Sequence, residues 1–174
     1  MIYLIYSNNA MLNVEQVNAL ERHEFTNTFA PLFEHSPWIA ARTAGKRPFA
    51  DRNEFFAALC DTVMKANSDE KLCLIRAHPD LVSREVLTHE SRNEQASAGL
   101  GDLSAEEAER FRQYNAQYRE KFDFPFVICA RLNKKEAILA AFPVRLQNSK
   151  ETEMETALGE IFKIADLRLK DLVE

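Results

Sequence analysis

The stretch SAEEAERFRQYNAQYREKF, residues 104–122, carries the least ambiguous helical pattern in the chain. Its apolar side chains recur at helical spacing, at Ala108, Phe111, Tyr118 and Phe122. Such spacing places side chains on one face of an α-helix. Ser104 and Glu107 form the capping-box pattern, in which each side chain satisfies a backbone N–H of the first turn. The stretch therefore predicts one long amphipathic helix with a defined start.

Helical patterns continue on both sides of this stretch. The final segment, about residues 151–173, has apolar residues at Met154, Leu158, Ile161, Ile164, Ala165, Leu169 and Leu172. Towards the N-terminus we predict helices over about 14–33, from Pro37 after Ser36, after Asp51, from Ser68 to before Pro79, and over 90–98. Asn133 with Glu136 predicts another capping box, for a helix that Pro143 should kink or shorten.

These segments predict an all-α fold. Only four glycines occur in 174 residues, which disfavours an all-β fold with many tight turns. The apolar run Phe124–Ala130 is expected to be a short, buried, extended connector. We predict one domain over residues 11–174, a helical bundle of about seven to nine helices. Residues 1–10 are interpreted as a possible N-terminal extension, because Met11 precedes the first helical pattern.

Composition excludes several classes of partner. The net charge is −5 and no basic run occurs, so no nucleic acid is expected. No apolar run approaches the roughly 20 residues that span a bilayer, so no membrane is expected either. The three cysteines, Cys60, Cys73 and Cys129, have no CxxC spacing and lie among apolar residues. We interpret them as buried free thiols in a reducing cytoplasm.

A small polar constellation begins at His78. Pro79 biases His78 away from helical backbone angles, so the imidazole should lie at a helix end. Ser91, Glu94 and Gln95 are spaced i, i+3, i+4 and share one helical face. A general acid–base site needs such groups. From spacing alone, the favoured interpretation remains a turn histidine and a solvated helix face.

Arg168 interrupts the apolar stripe of the last helix, four residues from both Ile164 and Leu172. A buried guanidinium is costly unless anions or several acceptors meet it. It is either a clamp for a carboxylate inside a pocket or an arginine whose head reaches solvent at the edge of the stripe. For Arg145 the same argument favours a structural salt bridge.

Metal and nucleotide chemistry have little support in the sequence. The four histidines show no HExxH spacing, and the cysteines do not supplement them, so no metal site is predicted. No GxSxG, Walker A or dinucleotide motif occurs, so neither a serine hydrolase nor a nucleotide cofactor is indicated.

Five segments, in order along the chain, together resemble the 2-oxo-4-hydroxy-4-carboxy-5-ureidoimidazoline (OHCU) decarboxylase family. They are Phe33-Glu34-His35-Ser36-Pro37-Trp38, His78-Pro79-Asp80-Leu81, Ser91-x-x-Glu94-Gln95-Ala96-x-x-Gly99-Leu100, Lys121-Phe122-x-Phe124-Pro125-Phe126-Val127-Ile128 and Ile164-Ala165-x-Leu167-Arg168-Leu169. The resemblance implies a cofactor-free, all-helical enzyme of urate degradation, usually a homodimer. It implies that the substrate OHCU loses CO2 to give (S)-allantoin.

The resemblance also implies roles for individual residues. Catalysis would fall to His78, Glu94 and Arg168. Our own hypothesis is that Glu94 orients the His78 ring and that Arg168 anchors the anionic end of the substrate. Substrate contacts would fall on Pro79, Ser91, Arg92, Asn93, Gln95, Phe126, Val127, Ile128, Cys129 and Ala130. In the last five of these, backbone groups would make many of the contacts.

Two residues depart from the family pattern, and two other functions remain open. Asp123 stands where the family often has glycine, and Pro143 interrupts a usually regular helix. The chain ends Leu-Val-Glu without a peroxisomal Ser-Lys-Leu-type tail, which favours a bacterial cytoplasmic protein.

One alternative function is that of a non-catalytic helical module that binds a ureido or purine-derived ligand. A metal-dependent hydrolase of the same pathway is the other, disfavoured by ligand spacing.

Overall fold

Nine α-helices and three short 3-10 turns make up the described part of the chain, which in this computed structural model is residues 11–82 and 87–174. The helices are α1 Val14–Ala19, α2 Arg22–Phe29, α3 Pro37–Thr43, α4 Arg52–Met64, α5 Ser68–Arg76, α6 His89–Ser97, α7 Ala105–Phe122, α8 Lys135–Arg145 and α9 Lys150–Leu172. The predicted all-α class is confirmed. The predicted extension, residues 1–10, lies outside the described residues.

Side chains that accept hydrogen bonds from first-turn N–H groups set several helix starts. Ser104 and Glu107 form the predicted capping box of α7, and Asp51 caps α4 as predicted. The single helix expected over 14–33 is wrong. Glu21 and Glu24 form a capping box of their own, so α2 restarts after a break at Leu20.

Two expectations concern α8, and the predicted capping box at its start is wrong. Its N-cap is Lys134, because the amide of Asn133 donates to the carbonyl of Cys129 instead of capping the helix. Pro143 does not shorten α8, which continues to Arg145. A proline lacks only one helical hydrogen bond, and Pro143 lies on the exposed side of α8.

Aromatic side chains fill the core in two groups. One contains Phe25, Phe29, Phe49 and Phe55, and the other contains Tyr118, Phe122, Phe124, Phe126 and Phe142. Helix α9 contacts both α4 and α5, as well as the turn Ala30–Leu32. Its apolar stripe is therefore buried between elements that are distant in sequence.

The segment Phe124–Ala130 is buried and has no regular structure before its last residue, as predicted. It begins after Asp123, which closes α7 with a left-handed φ of 65°. Glycine adopts this conformation most easily, and aspartate is among the residues that tolerate it. Arg76 holds Asp123 through both its backbone carbonyl and its carboxylate. The departure at Asp123 thus leaves the turn in place.

The cysteines differ from the expectation in one respect. Cys129 is buried and Cys60 half-buried, but Cys73 is exposed because α5 turns that side to the surface. No helix among the described residues is long and apolar enough to cross a membrane.

Candidate active site

His78 lies just after α5, where the helix has ended. Its backbone N–H donates to the carbonyl of Ile75 at 3.2 Å, and Nδ1 lies 2.9 Å from the carbonyl oxygen of Leu74. A carbonyl can only accept, so Nδ1 carries the proton and Nε2 keeps a lone pair. Burial lowers the pKa of His78 to about 4. The imidazole is therefore neutral at pH 7, in one tautomer.

Arg168 meets Glu94 in a bidentate pair. Nε and Nη2 of Arg168 donate to the two carboxylate oxygens of Glu94, each at 2.8 Å. The guanidinium is 6% exposed, so water contributes little to its solvation. Two parallel, charge-assisted hydrogen bonds give this pair a fixed geometry. The arginine on the apolar stripe is thus a buried ion-paired group rather than one that reaches solvent.

Glu34 is a third charged member of this group, with no role predicted from the sequence. It is 3% exposed, and Oε2 lies 3.3 Å from both Nη1 and Nη2 of Arg168. The hydroxyl of Ser91 also donates to this oxygen, at 3.1 Å. Burial alone would raise the pKa of Glu34, but a hydrogen bond from Thr88 and the charge of Arg168 hold it below its usual value. Glu34 is therefore a buried carboxylate.

The charges of this group do not cancel. Burial opposes the charge of Arg168, but Glu94 and Glu34 outweigh it and raise the guanidinium pKa. The guanidinium thus faces two carboxylates beside a neutral imidazole. With one positive and two negative charges, the group carries a net charge of −1.

A small cavity joins most of the predicted residues. Its volume is about 30 Å³, close to that of one water molecule. It is lined by His78, Pro79, Leu81, Ser91, Glu94, Gln95, Phe126, Val127, Ile128, Ala130, Ile164 and Arg168. The structure thus brings together all three predicted catalytic residues. Seven of the ten predicted contact residues line the cavity with them.

Three predicted contact residues do not line the cavity. The exposed side chain of Arg92 donates to the carbonyl of Leu87, and Asn93 is also exposed. Cys129 is buried, and its backbone N–H donates to Glu160 at 2.8 Å. Helical periodicity explains the first two, since only Ser91 and Gln95 of this segment share the inward face of α6 with Glu94.

The hydrogen bonds of the segment Phe126–Ala130 show which of its backbone groups remain free to bind a ligand. The carbonyl of Val127 accepts from Arg145 at 2.7 Å, and the N–H of Cys129 is already donated. The N–H and carbonyl of Ile128 have no partner among the described residues, and Ile128 lines the cavity. The same is true of Phe126, so the backbone groups of both residues are available to a ligand.

Arg145 forms the structural salt bridge predicted for it. It pairs with the fully buried Glu153, and its guanidinium also contacts Tyr118 and the face of the Phe126 ring. Through its bond to Val127 it holds the wall of the cavity.

A larger groove of about 390 Å³ borders the same group. Glu94 and Arg168 line it, but His78 and Gln95 do not. Volume alone would favour this groove as the active site. The small cavity is the better candidate, because it joins the imidazole, the ion pair and unpaired backbone groups, whereas the groove does not reach the imidazole.

The contacts correct one predicted role. Leu74, rather than Glu94, makes the hydrogen bond that orients the His78 ring. Both oxygens of Glu94 bind Arg168. A histidine four residues after Leu74 at a helix end can reach back to its carbonyl, and this local spacing is the signal that sequence reasoning missed.

Comparisons with known proteins agree on the family. The sequence profile of OHCU decarboxylase matches residues 18–170. The chain is 42% identical to the 2-oxo-4-hydroxy-4-carboxy-5-ureidoimidazoline decarboxylase of Haloferax volcanii, covering 92% of this chain and 95% of that protein. It is 41% identical to the enzyme of the same name from Amia calva, covering 94% and 95%.

Solved structures give the same result. The crystal structure of (S)-allantoin synthase matches with a TM-score of 0.77 and 28% identity, over 93% of this chain and 54% of that one. The chain thus spans about half the length of that protein. The crystal structure of OHCU decarboxylase in the presence of (S)-allantoin matches with a TM-score of 0.71 and 25% identity, over 88% and 98%.

Fold and site together define a helical enzyme with a buried acid–base cavity beside an arginine–carboxylate group. The sequence profile and the relatives then identify the family of this enzyme. The chain belongs to the OHCU decarboxylase family.

Proposed function

We propose that this protein decarboxylates OHCU to (S)-allantoin and CO2 in urate degradation. Its relatives at 41–42% identity are named for this reaction, and a structural neighbour was solved in the presence of (S)-allantoin. The observation that carries the proposal is the neutral His78, whose Nε2 lone pair shares one cavity with Glu94 and Arg168.

The substrate supplies its own electron sink. Its carboxylate and hydroxyl share one ring carbon, next to a ring C=N bond. When the bond to the carboxylate breaks, its electron pair forms a C=C bond, the C=N pair moves to nitrogen, which takes up a proton from solvent, and neutral CO2 leaves. A proton then adds to the ureido-bearing carbon, while the hydroxyl loses its proton and becomes the carbonyl of allantoin. This chemistry needs no additional cofactor.

His78 moves the protons in this sequence. Its unprotonated Nε2 accepts a hydrogen bond from the substrate hydroxyl and takes the proton. The imidazolium so formed is stabilised by the negative charge of Glu34 and by the carbonyl of Leu74. It then delivers a proton to one face of the adjacent carbon. Because His78 lies on one side of the bound substrate, only one face of this carbon is protonated, and the (S) product results.

Arg168 anchors the anionic end of the substrate. All its N–H groups point at acceptors in the protein, including the carbonyl of Pro31 at 2.8 Å. Direct contact with the substrate carboxylate therefore requires Glu94 to give up one of its two hydrogen bonds to Arg168. The released oxygen of Glu94 can accept an N–H of the substrate, so the exchange conserves hydrogen bonds.

The remaining polar groups of the cavity form hydrogen bonds with the ureido group and the ring edge of the substrate. Ser91 and Gln95 project from α6, and Ile128 offers both backbone groups. A substrate that leaves one of these buried groups unpaired is disfavoured. The cavity volume of about 30 Å³ is smaller than the substrate, so binding requires either that the walls move apart or that part of the substrate extends out of the cavity.

Three further attributes belong to the proposal. The enzyme is a homodimer, works without a cofactor and acts in the bacterial cytoplasm, where the three free cysteines fit a reducing environment. Sedimentation velocity tests the first attribute, and a purely monomeric boundary at micromolar concentration contradicts it.

The function itself is tested by the chirality of the product. OHCU is generated enzymatically from urate, and circular dichroism is recorded at the (S)-allantoin band with and without the protein. Spontaneous decay protonates both faces and gives no net signal. The protein should accelerate the appearance of the (S) band. An unchanged time course would support a binding module without catalysis.

A further inference from the structure

Glu34 contacts the active-site group without lining the cavity of His78. It lines a separate surface depression together with Pro31, His35 and Thr88. Its carboxylate nevertheless bonds two residues that do line the cavity, Ser91 and Arg168. Such a carboxylate acts on the substrate only through its neighbours.

The hydrogen bond from Ser91 to Glu34 determines whether the Ser91 hydroxyl can donate to the substrate or accept from it. A serine hydroxyl has one proton and two lone pairs. The proton is donated to Glu34 at 3.1 Å, and one lone pair faces Nη2 of Arg168 at 3.4 Å. The other lone pair remains for the cavity. Ser91 is thus fixed as an acceptor, which matches a ureido N–H and disfavours a carbonyl or carboxylate.

The bonds to Arg168 set the plane of the guanidinium. Glu94 holds the Nε–Nη2 edge at 2.8 Å, while Glu34 holds the adjacent edge at 3.3 Å through the two terminal nitrogens. With carboxylates on two adjacent edges, the guanidinium cannot rotate about its long axis without losing a charge-assisted bond. This fixes the edge that meets the substrate when Glu94 releases it.

We propose that Glu34 is a positioning residue, which makes Ser91 a dedicated acceptor for the ureido group and holds the Arg168 guanidinium in plane. The inference rests on the proposed decarboxylase function and adds a residue to it. Burying a second carboxylate is unfavourable, and a well-packed apolar side chain would often serve stability as well. Of the hydrogen-bonding partners of Glu34, which are Thr88, Ser91 and Arg168, the last two line the cavity.

The test is a double-mutant cycle on kcat/KM for OHCU. Glu34→Gln removes the charge at constant shape, Ser91→Ala removes the hydroxyl, and the double variant combines them. Glu90→Gln is the matched control, because Glu90 is half-buried on α6 and bonds neither Ser91 nor Arg168. Thermal unfolding of every variant verifies that each is folded at the assay temperature.

We expect each single variant to lose about tenfold in kcat/KM and the double variant to lose little more than the larger single loss. Glu90→Gln should remain within twofold of wild type. Glu34→Asp should recover part of the loss, since it restores the charge at a shorter reach. A structural role alone gives independent effects, which multiply to about a hundredfold loss in the double variant.

Multiplicative losses, or a Glu34→Gln variant that matches Glu90→Gln, overturn the inference while leaving the decarboxylase function intact. If the wild-type protein forms no (S)-allantoin, it is the function that fails. Should Glu34→Gln not fold, the same cycle is run with Glu34→Asp, and independent effects there overturn the inference equally.

Discussion

Replacing Arg168 with lysine tests the buried ion-paired group most sharply. Lysine keeps the positive charge but concentrates its donors on one nitrogen, so it cannot bridge Glu94 in a bidentate manner while also reaching Glu34. Arg168 makes two 2.8 Å bonds to Glu94 and one to the carbonyl of Pro31. At least two charge-assisted bonds are lost in Arg168→Lys.

The size of the effect follows from those bonds. Each hydrogen bond to a charged group contributes about 1.5–3 kcal/mol, so the loss is about 3 kcal/mol or more. In a domain of this size, that lowers the melting temperature by about 6–12 °C. If the same interactions stabilise the transition state, kcat/KM falls by about a hundredfold. Both quantities are measurable on one preparation, by thermal unfolding and by the rate of (S)-allantoin formation.

The matched control is Arg47→Lys. Arg47 is half-buried and, like Arg168, bonded to a backbone carbonyl, that of Ala44 at 2.9 Å, but it lies outside the cavity. Arg47→Lys should lower the melting temperature and leave kcat/KM unchanged. The reasoning is refuted if Arg168→Lys keeps kcat/KM within twofold of wild type and melts within about 2 °C of it.

Three further outcomes are expected. Burial lowers the pKa of His78 to about 4, so below pH 6.5 the unfolded chain binds a proton that the folded protein resists, and stability falls as pH falls. The difference in unfolding free energy between wild type and His78→Gln should therefore shrink by about 2–3 kcal/mol from pH 7.5 to 4.5 in urea titrations, and a constant difference contradicts the burial of a neutral imidazole. A thiol reagent should label one cysteine rapidly in the native protein, and Cys73→Ser should abolish that labelling, because Cys73 is exposed while burial raises the pKa of Cys60 to about 11 and also raises that of Cys129. EDTA should leave the rate of (S)-allantoin formation unchanged, and a loss restored by added metal would support the hydrolase alternative.

Local signals predicted the parts of the fold that depend on nearby residues. The capping boxes and the helix end before Pro79 involve contacts of three or four residues, which a sequence pattern displays directly. The same kind of signal gave a wrong prediction at Asn133, whose side chain donates to the carbonyl of Cys129 instead of capping the next helix. A capping pattern states what a side chain can bind, and the tertiary structure decides between local partners.

The site was predictable where a residue conflicted with its surroundings. Arg168 stands out because a guanidinium interrupts an apolar stripe, and His78 because a proline follows it. Glu34 gave a weaker signal, one charged residue between Phe33 and the start of a helix at Pro37. Its partners lie 57 and 134 residues away in the chain. Single-sequence periodicity carries no information about pairs at such separations.

The catalytic role of His78 is tested most directly by the rate of (S)-allantoin formation with and without its imidazole. Circular dichroism at the (S)-allantoin band is followed on enzymatically generated OHCU, with wild type and with His78→Ala, both verified as folded by thermal unfolding. We expect a rapid (S) signal from wild type and a time course for His78→Ala close to spontaneous decay. Near-wild-type formation of (S)-allantoin by His78→Ala would contradict that role.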